Sequence, residues 1–113
     1  MHEVSLCESL LRLIEQQAAE QHFNQVKRVY LELGALAAVE PEALRLGFDA
    51  VMKGSVAEGA CLEIIPVPAK AWCDQCKDSV EVKQRFDACD RCQAFPLSIT
   101  AGEELCLKEL EVA

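Results

Sequence analysis

The chain has 113 residues, 51% of them apolar and only 5% aromatic, and a net charge of −8. This size and composition fit one compact domain, with room for a small attached module, and a core built from Leu, Val, Ile and Ala. The acidity makes nucleic acid or an anionic membrane surface a poor partner, and no apolar run approaches the roughly 18 residues of a membrane span.

The first segment, SLCESLLRLIEQQAAEQHF, places Cys7, Leu10, Leu11, Ile14 and Ala18 at helical spacing. Ser5 and Glu8 form an S-x-x-E capping pattern, which predicts a helix start near Leu6. QVKRVYLELGAL then alternates, with Val29, Leu31 and Leu33 on one face, and predicts a half-buried strand ending at or after Gly34. Glu40-Pro41 is a good helix entry. Leu44, Phe48 and Val51 give that helix an apolar stripe, and Gly54 ends it. ACLEIIPVPA predicts a second strand, cut short by Pro66 and Pro68. EELCLKELEV near the end predicts a third strand. Its Leu105 and Leu107 share one face and Leu110 and Val112 the other, so a bulge or twist is expected.

Residues 70–96 differ in character. Four of the seven cysteines lie there, and five Lys or Arg residues balance five Asp or Glu residues. The expected architecture is therefore α/β: a small three-stranded sheet with two helices, over residues 1–69 and completed by 97–113. A small zinc-ribbon-like module over 70–96 is inserted before the last strand.

No basic segment followed by an apolar one opens the chain, so no signal peptide is expected and the protein is read as cytoplasmic. In that compartment seven cysteines argue for metal ligation rather than disulfides. Cys73 and Cys76 are separated by two residues, as are Cys89 and Cys92, with twelve residues between the pairs. Each pair suits a tight turn with both thiolates facing one ion, and two such turns supply a tetrahedron of sulfurs for structural Zn(II). The intervening SVEVKQRFDA is long enough for a strand out and back. Iron held as in rubredoxins and a dithiol redox role remain alternatives. Four thiolates close the coordination sphere, so the ion holds shape and performs no chemistry. Cys7, Cys61 and Cys106 read as buried or half-buried small apolar residues. His22 reads as a surface residue at a helix C-terminus, and Trp72 is expected to pack over the zinc turn.

The start, Met1-His2-Glu3, reads in two ways. One is a chance histidine on a frayed end. The other is a chelate: the Met1 α-amine, the His2 amide nitrogen and the His2 imidazole form fused rings, and the Glu3 amide can add a fourth nitrogen. The amine, with an ordinary pKa of about 7.7–8.0, gives up its proton readily. Nitrogen ligands in a plane suit Ni(II) or Cu(II). The first amides of a helix have no intrahelical partner, so they are uncommitted. Such a site would be open, suited to handing an ion over.

MHEVSL, LELGALAAVEPEALRLGFDAVMKGSVAEGACLEI and the paired C-x-x-C together resemble the HypA/HybF nickel metallochaperones of [NiFe]-hydrogenase maturation, over nearly the whole chain. The resemblance implies transient Ni(II) at His2, with help from the Met1 amine and Glu3, and structural Zn(II) at Cys73, Cys76, Cys89 and Cys92. It also implies two partners, a nickel-pathway GTPase and the [NiFe]-hydrogenase large-subunit precursor. Glu40 falls where some members have an acid near the nickel end. Many members read CPxCG at each zinc turn, whereas this chain reads CDQCK and CDRCQ, a departure that bears on the stability of those turns. The alternative is a zinc-ribbon module for protein or nucleic-acid interaction, without nickel; it calls for a basic face. No arrangement of nucleophile and base is evident, so no enzymatic activity is expected.

Overall fold

The computed structural model describes residues 2–113, with His2 described by its backbone alone. In chain order the elements are α1 (His2–Gln21), β1 (Val26–Gly34), α2 (Pro41–Met52), β2 (Cys61–Val67), β3 (Lys70–Cys73), β4 (Asp78–Glu81), β5 (Ser98–Ala101) and β6 (Leu105–Val112). One three-stranded sheet has the order β2-β1-β6 and a second the order β4-β3-β5. The expected α/β architecture, two helices with a small three-stranded sheet, is present. The chain divides into two compact units within the long strands. The first comprises the residues up to Leu31, Ala38–Ile64 and Leu107–Ala113; the second comprises Glu32–Ala37 and Ile65–Cys106.

In the first unit α1 buries Cys7, Leu10 and Ile14, and α2 buries Leu44, Gly47, Phe48 and Met52. Each large buried side chain contributes about 1.5–3 kcal/mol. The helices meet at Gly47, where a Cβ would lie in ordinary contact, 3.4 Å from Cys7 Sγ and 3.7 Å from a Val4 methyl. Cys7 Sγ in turn lies 3.5 Å from the Leu44 carbonyl, to which it donates. Helix α2 begins as its sequence dictates. Glu40 is the N-cap, its carboxylate accepts from the Glu42 amide at 3.3 Å, and Pro41 fills the first turn.

Helix α1 begins at His2 rather than near Leu6. Ser5 lies inside the helix, so the S-x-x-E pattern is not a cap here; Glu3 in the first turn complements the positive end of the helix instead. His22, exposed, takes a left-handed φ of 59° just past the last turn and ends the helix. Strand β2 runs through Pro66 to Val67 rather than stopping before it. As an edge strand β2 can present the missing N–H to its open side. Strand β6 is continuous from Leu105 to Val112, with Leu105, Leu107 and Leu110 half-buried.

The second unit has a core of small and medium residues: Leu36, Ala69, Ala71, Cys73, Val80, Val82 and Cys89. Strand β3 is its centre, antiparallel to β4 on one side and to β5 on the other. The expected strand out and back within 79–88 is absent. Only β4 lies between the cysteine pairs, because β3 precedes the first pair and β5 follows the second. The end of β1 is tied in by three backbone bonds: Gly34 N to Glu104 O at 2.7 Å, Ala35 N to Val67 O at 2.9 Å and Leu36 N to Gly102 O at 2.7 Å. This closeness requires glycine twice. A Cβ on Gly34 would lie 2.1 Å from the Gly102 oxygen. One on Gly102, whose φ is +105°, would lie 2.5 Å from Ala69 Cα.

Cys61 and Cys106 are exposed, against the expectation of burial. Both lie on edge strands, where the alternation that buries Leu62 turns Cys61 to the opposite face.

Gly102→Ala should therefore destabilise the protein by roughly 2–4 kcal/mol, through both backbone strain and overlap with Ala69. Gly54→Ala should cost only about 1 kcal/mol, because φ is +78° there but nothing lies within 4 Å of the added Cβ. Urea unfolding of the two variants measures the difference, and equal losses would refute the packing account.

Candidate metal centre

The two cysteine pairs, distant in sequence, meet at the end of β3. Cys73 and Cys89 are fully buried and Cys76 and Cys92 half-buried, and all four sulfurs lie within 4.8 Å of one another. Cys73 Sγ and Cys92 Sγ are 3.5 Å apart, and Cys76 Sγ and Cys89 Sγ 3.9 Å. Four thiolates at the usual Zn–S distance of about 2.3 Å define a tetrahedron with edges of about 3.8 Å, so these distances fit one zinc ion. Such an ion would supply cross-linking and charge neutralisation.

Both turns have the same construction. The Lys77 amide donates to the Cys73 carbonyl at 2.8 Å, and the Gln93 amide donates to the Cys89 carbonyl at 2.8 Å. The chain then reverses through a left-handed residue, Lys77 at φ 55° and Gln93 at φ 65°. These are the two positions where the CPxCG pattern has glycine. Amide groups also point at sulfur. The Cys76 amide donates to Cys73 Sγ at 3.4 Å, and the amides of Cys92 and Arg91 hold the Cys89 thiol down at about 7. Hydrogen bonding with Cys92 and burial push Cys76 up to about 12.

The second turn is also tied to the first by charge. Arg91 pairs with Asp78 at 3.2 Å, and that pairing, with the Ser79 amide, holds the Asp78 carboxyl below its ordinary range. Nothing in the spacing of the cysteines signals this pair. An arginine inside one C-x-x-C, and an aspartate just after the other, was the available clue. Trp72 meets the first zinc turn from outside, through Asp74, rather than from within the core. Ala71 and Cys73 take the buried face of β3, which leaves Trp72 on the exposed face with its Nε1 donating to Asp74 at 3.0 Å.

At the other candidate site, Met1 and the His2 side chain lie outside the described residues. Glu3 is described. Its carboxylate accepts from the backbone amide of Glu40 at 3.5 Å, so the start of α1 meets the N-cap of α2. Burial, then the charge of Glu3, raises the Cys7 thiol.

The family model described as "Hydrogenase/urease nickel incorporation, metallochaperone, hypA" matches residues 1–112. The hydrogenase maturation factor HypA of Azotobacter chroococcum is 54% identical over 112 residues, covering 99% of both chains. That of Acidithiobacillus ferrooxidans is 56% identical over the same coverage. The solution structure of the Ni metallochaperone HypA from Helicobacter pylori is similar with a TM-score of 0.72 at 25% identity, covering 97% of this chain and 96% of that one. A second HypA solution structure gives a TM-score of 0.76 at 26% identity, covering 100% of this chain and 97% of that one.

A left-handed residue with a side chain costs roughly 1–2 kcal/mol, partly offset by the flexibility glycine brings to the unfolded chain. Lys77→Gly and Gln93→Gly should each stabilise the zinc-loaded protein by about 1 kcal/mol, read as a higher melting temperature and slower zinc loss to a chelator. A lower melting temperature in both variants would show that these turns are not strained.

Proposed function

The chain belongs to the HypA family of nickel-incorporation metallochaperones, and we propose that it binds Ni(II) at its own N-terminus and helps insert it into the [NiFe]-hydrogenase large-subunit precursor. Nickel is the cargo, held by the His2 imidazole and amide with the Met1 α-amine, and assisted by Glu3. The observation that supports this reading is the meeting of the Glu3 carboxylate with the backbone amide of the Glu40 N-cap, which holds an acid at the start of α1 against the entry to α2. The helix start at His2 supports it further, because the first amides of a helix are uncommitted. Nitrogen donors at a chain end, open to solvent, suit an ion that must be passed on.

Cys73, Cys76, Cys89 and Cys92 hold a structural zinc within the module of residues 70–96. Its sphere is closed by sulfur, so the role is architectural and the protein delivers metal without performing catalysis. The partners are a nickel-pathway GTPase and the large-subunit precursor. Both are proteins, in keeping with a net charge of −8 that opposes nucleic acid. No helix of the described residues is long and apolar enough to cross a membrane. Delivery takes place in the cytoplasm.

Calorimetric nickel titration of three proteins tests the terminus: the native form, one with Gly added before Met1, and His2→Ala. The added residue converts the amine into an amide and displaces the new amine from the chelate, so nickel affinity should fall sharply in both variants while zinc content is unchanged. Equal affinity in native and extended forms would remove the amine as a ligand, and equal affinity in all three would remove His2 as well. Protons compete for the imidazole, with an ordinary pKa of about 6.5, and for the amine, at about 7.7–8.0. Nickel affinity should therefore fall as pH drops from about 8 to about 6.

Zinc content is read separately by metal analysis. About one zinc per chain is expected, lost in Cys73→Ser with Cys92→Ser along with the order of residues 70–96. Zinc retained after both changes would refute the ligand assignment.

A further inference from the structure

Asp78 lies two residues after Cys76, and Arg91 lies between Cys89 and Cys92. An acid is a poor neighbour for a cluster of thiolates. Its charge repels theirs, so the electrostatics of the cluster alone would favour an uncharged residue at position 78. The carboxylate is turned to another use. It pairs with the Arg91 guanidinium at 3.2 Å, 13 residues away in sequence, and so joins one cysteine turn to the other.

Both partners are positioned by the turns they join. The Asp78 carboxylate also accepts from the Ser79 amide at 2.8 Å, and Asp78 stands opposite Cys73 where β4 pairs with β3. The Arg91 amide donates to Cys89 Sγ. The pair therefore forms with little loss of backbone freedom. Its side chains are 56% and 59% exposed, so water and salt screen it and its effect is modest. A modest effect is still visible in a rate. The two turns cannot part, and so release an ion held between them, without separating Asp78 from Arg91.

We propose that the Asp78–Arg91 pair is a latch on the structural zinc, one that ligates nothing and slows the parting of the two turns through which the ion is lost. In a protein that passes one metal on and keeps another, the latch lengthens the residence of the ion that is kept. Asp78 and Arg91 are thus positioning residues. The inference rests on the assignment of zinc to Cys73, Cys76, Cys89 and Cys92.

The test is the rate of zinc transfer from the full-length zinc-loaded protein to an excess of chromogenic chelator, at low and at high salt. The variants are Asp78→Asn, Arg91→Gln, the two combined, and the control Arg28→Gln, which breaks an exposed ion pair with Glu111 in the first unit. Asn retains an acceptor for the Ser79 amide and Gln retains the backbone amide on Cys89, so each change removes charge and little else. Asp78→Asn should speed zinc loss about 3- to 5-fold when Arg91 is present. In the Arg91→Gln background the same change should leave the rate unchanged or slow it, because the acid there only repels the thiolates. Salt at roughly 1 M should bring the wild-type rate close to that of Asp78→Asn. Arg28→Gln should lose zinc as wild type does. Unchanged or slower loss in Asp78→Asn, with Arg91 present, would overturn the latch and leave the zinc assignment standing. So would equal acceleration with and without Arg91, or a wild-type rate that salt does not move. A wild-type protein that holds no zinc would overturn the latch and the zinc assignment together.

Discussion

Four sulfurs within 4.8 Å of one another are the constraint on which the second unit depends. Uncharged, they are weak hydrogen-bonding groups in a small core; charged, they repel one another and leave a core of mostly small side chains with little to oppose the repulsion. A divalent cation resolves both difficulties, because it makes four anions into the best-bonded part of the unit. The surrounding structure is arranged accordingly. β3 leads into the first turn, Ala94 accepts from the Cys89 amide to close the second, and Asp78 and Arg91 link the two by charge. Left-handed backbone at Lys77 and Gln93 persists because the cluster fixes the course of the chain on either side.

The two metal sites of the delivery scheme make opposite use of the same chemistry. The sulfur site is closed, with two of its ligands fully buried, so exchange of its ion requires the turns to open. The proposed nickel site uses nitrogen at a chain end, where exchange needs no unfolding. α1 and α2 meet at Cys7 and Gly47, and the first turn of one helix lies beside the N-cap of the other. A thiol that could itself bind metal is thereby used as a buried apolar residue, raised further from ionisation by Glu3.

Close backbone approach is the second recurring device. Gly34, Gly102 and Ala69 meet with no space for a side chain on either glycine, and three hydrogen bonds join β1 to neighbouring chain at that point. A unit of limited apolar content gains from such contacts, since backbone pairing and dense packing substitute for the large side chains it lacks.

Sequence by itself determined the elements whose signals are local. Apolar spacing at Cys7, Leu10 and Ile14, the Glu40-Pro41 entry, the alternation ending at Gly34 and the doubled C-x-x-C each act within a few residues, and each is realised in the fold. Where two local signals competed, the sequence misled. The S-x-x-E pattern at Ser5 yielded to a longer helix, and Pro66 ended no strand, since an edge strand can turn a missing donor to its open side. Tertiary structure alone decided what depends on partners distant in the chain. β3 and β5, four residues each, carry too little pattern to be read alone and exist because each completes the other's hydrogen bonds. The exposure of Cys61, Cys106 and Trp72 follows from which face of each strand the core occupies, and the meeting of Glu3 with Glu40, 37 residues apart, follows from how two helices pack. A residue's type is written locally, but its neighbours across the fold are set by the cooperative burial of side chains from the whole unit.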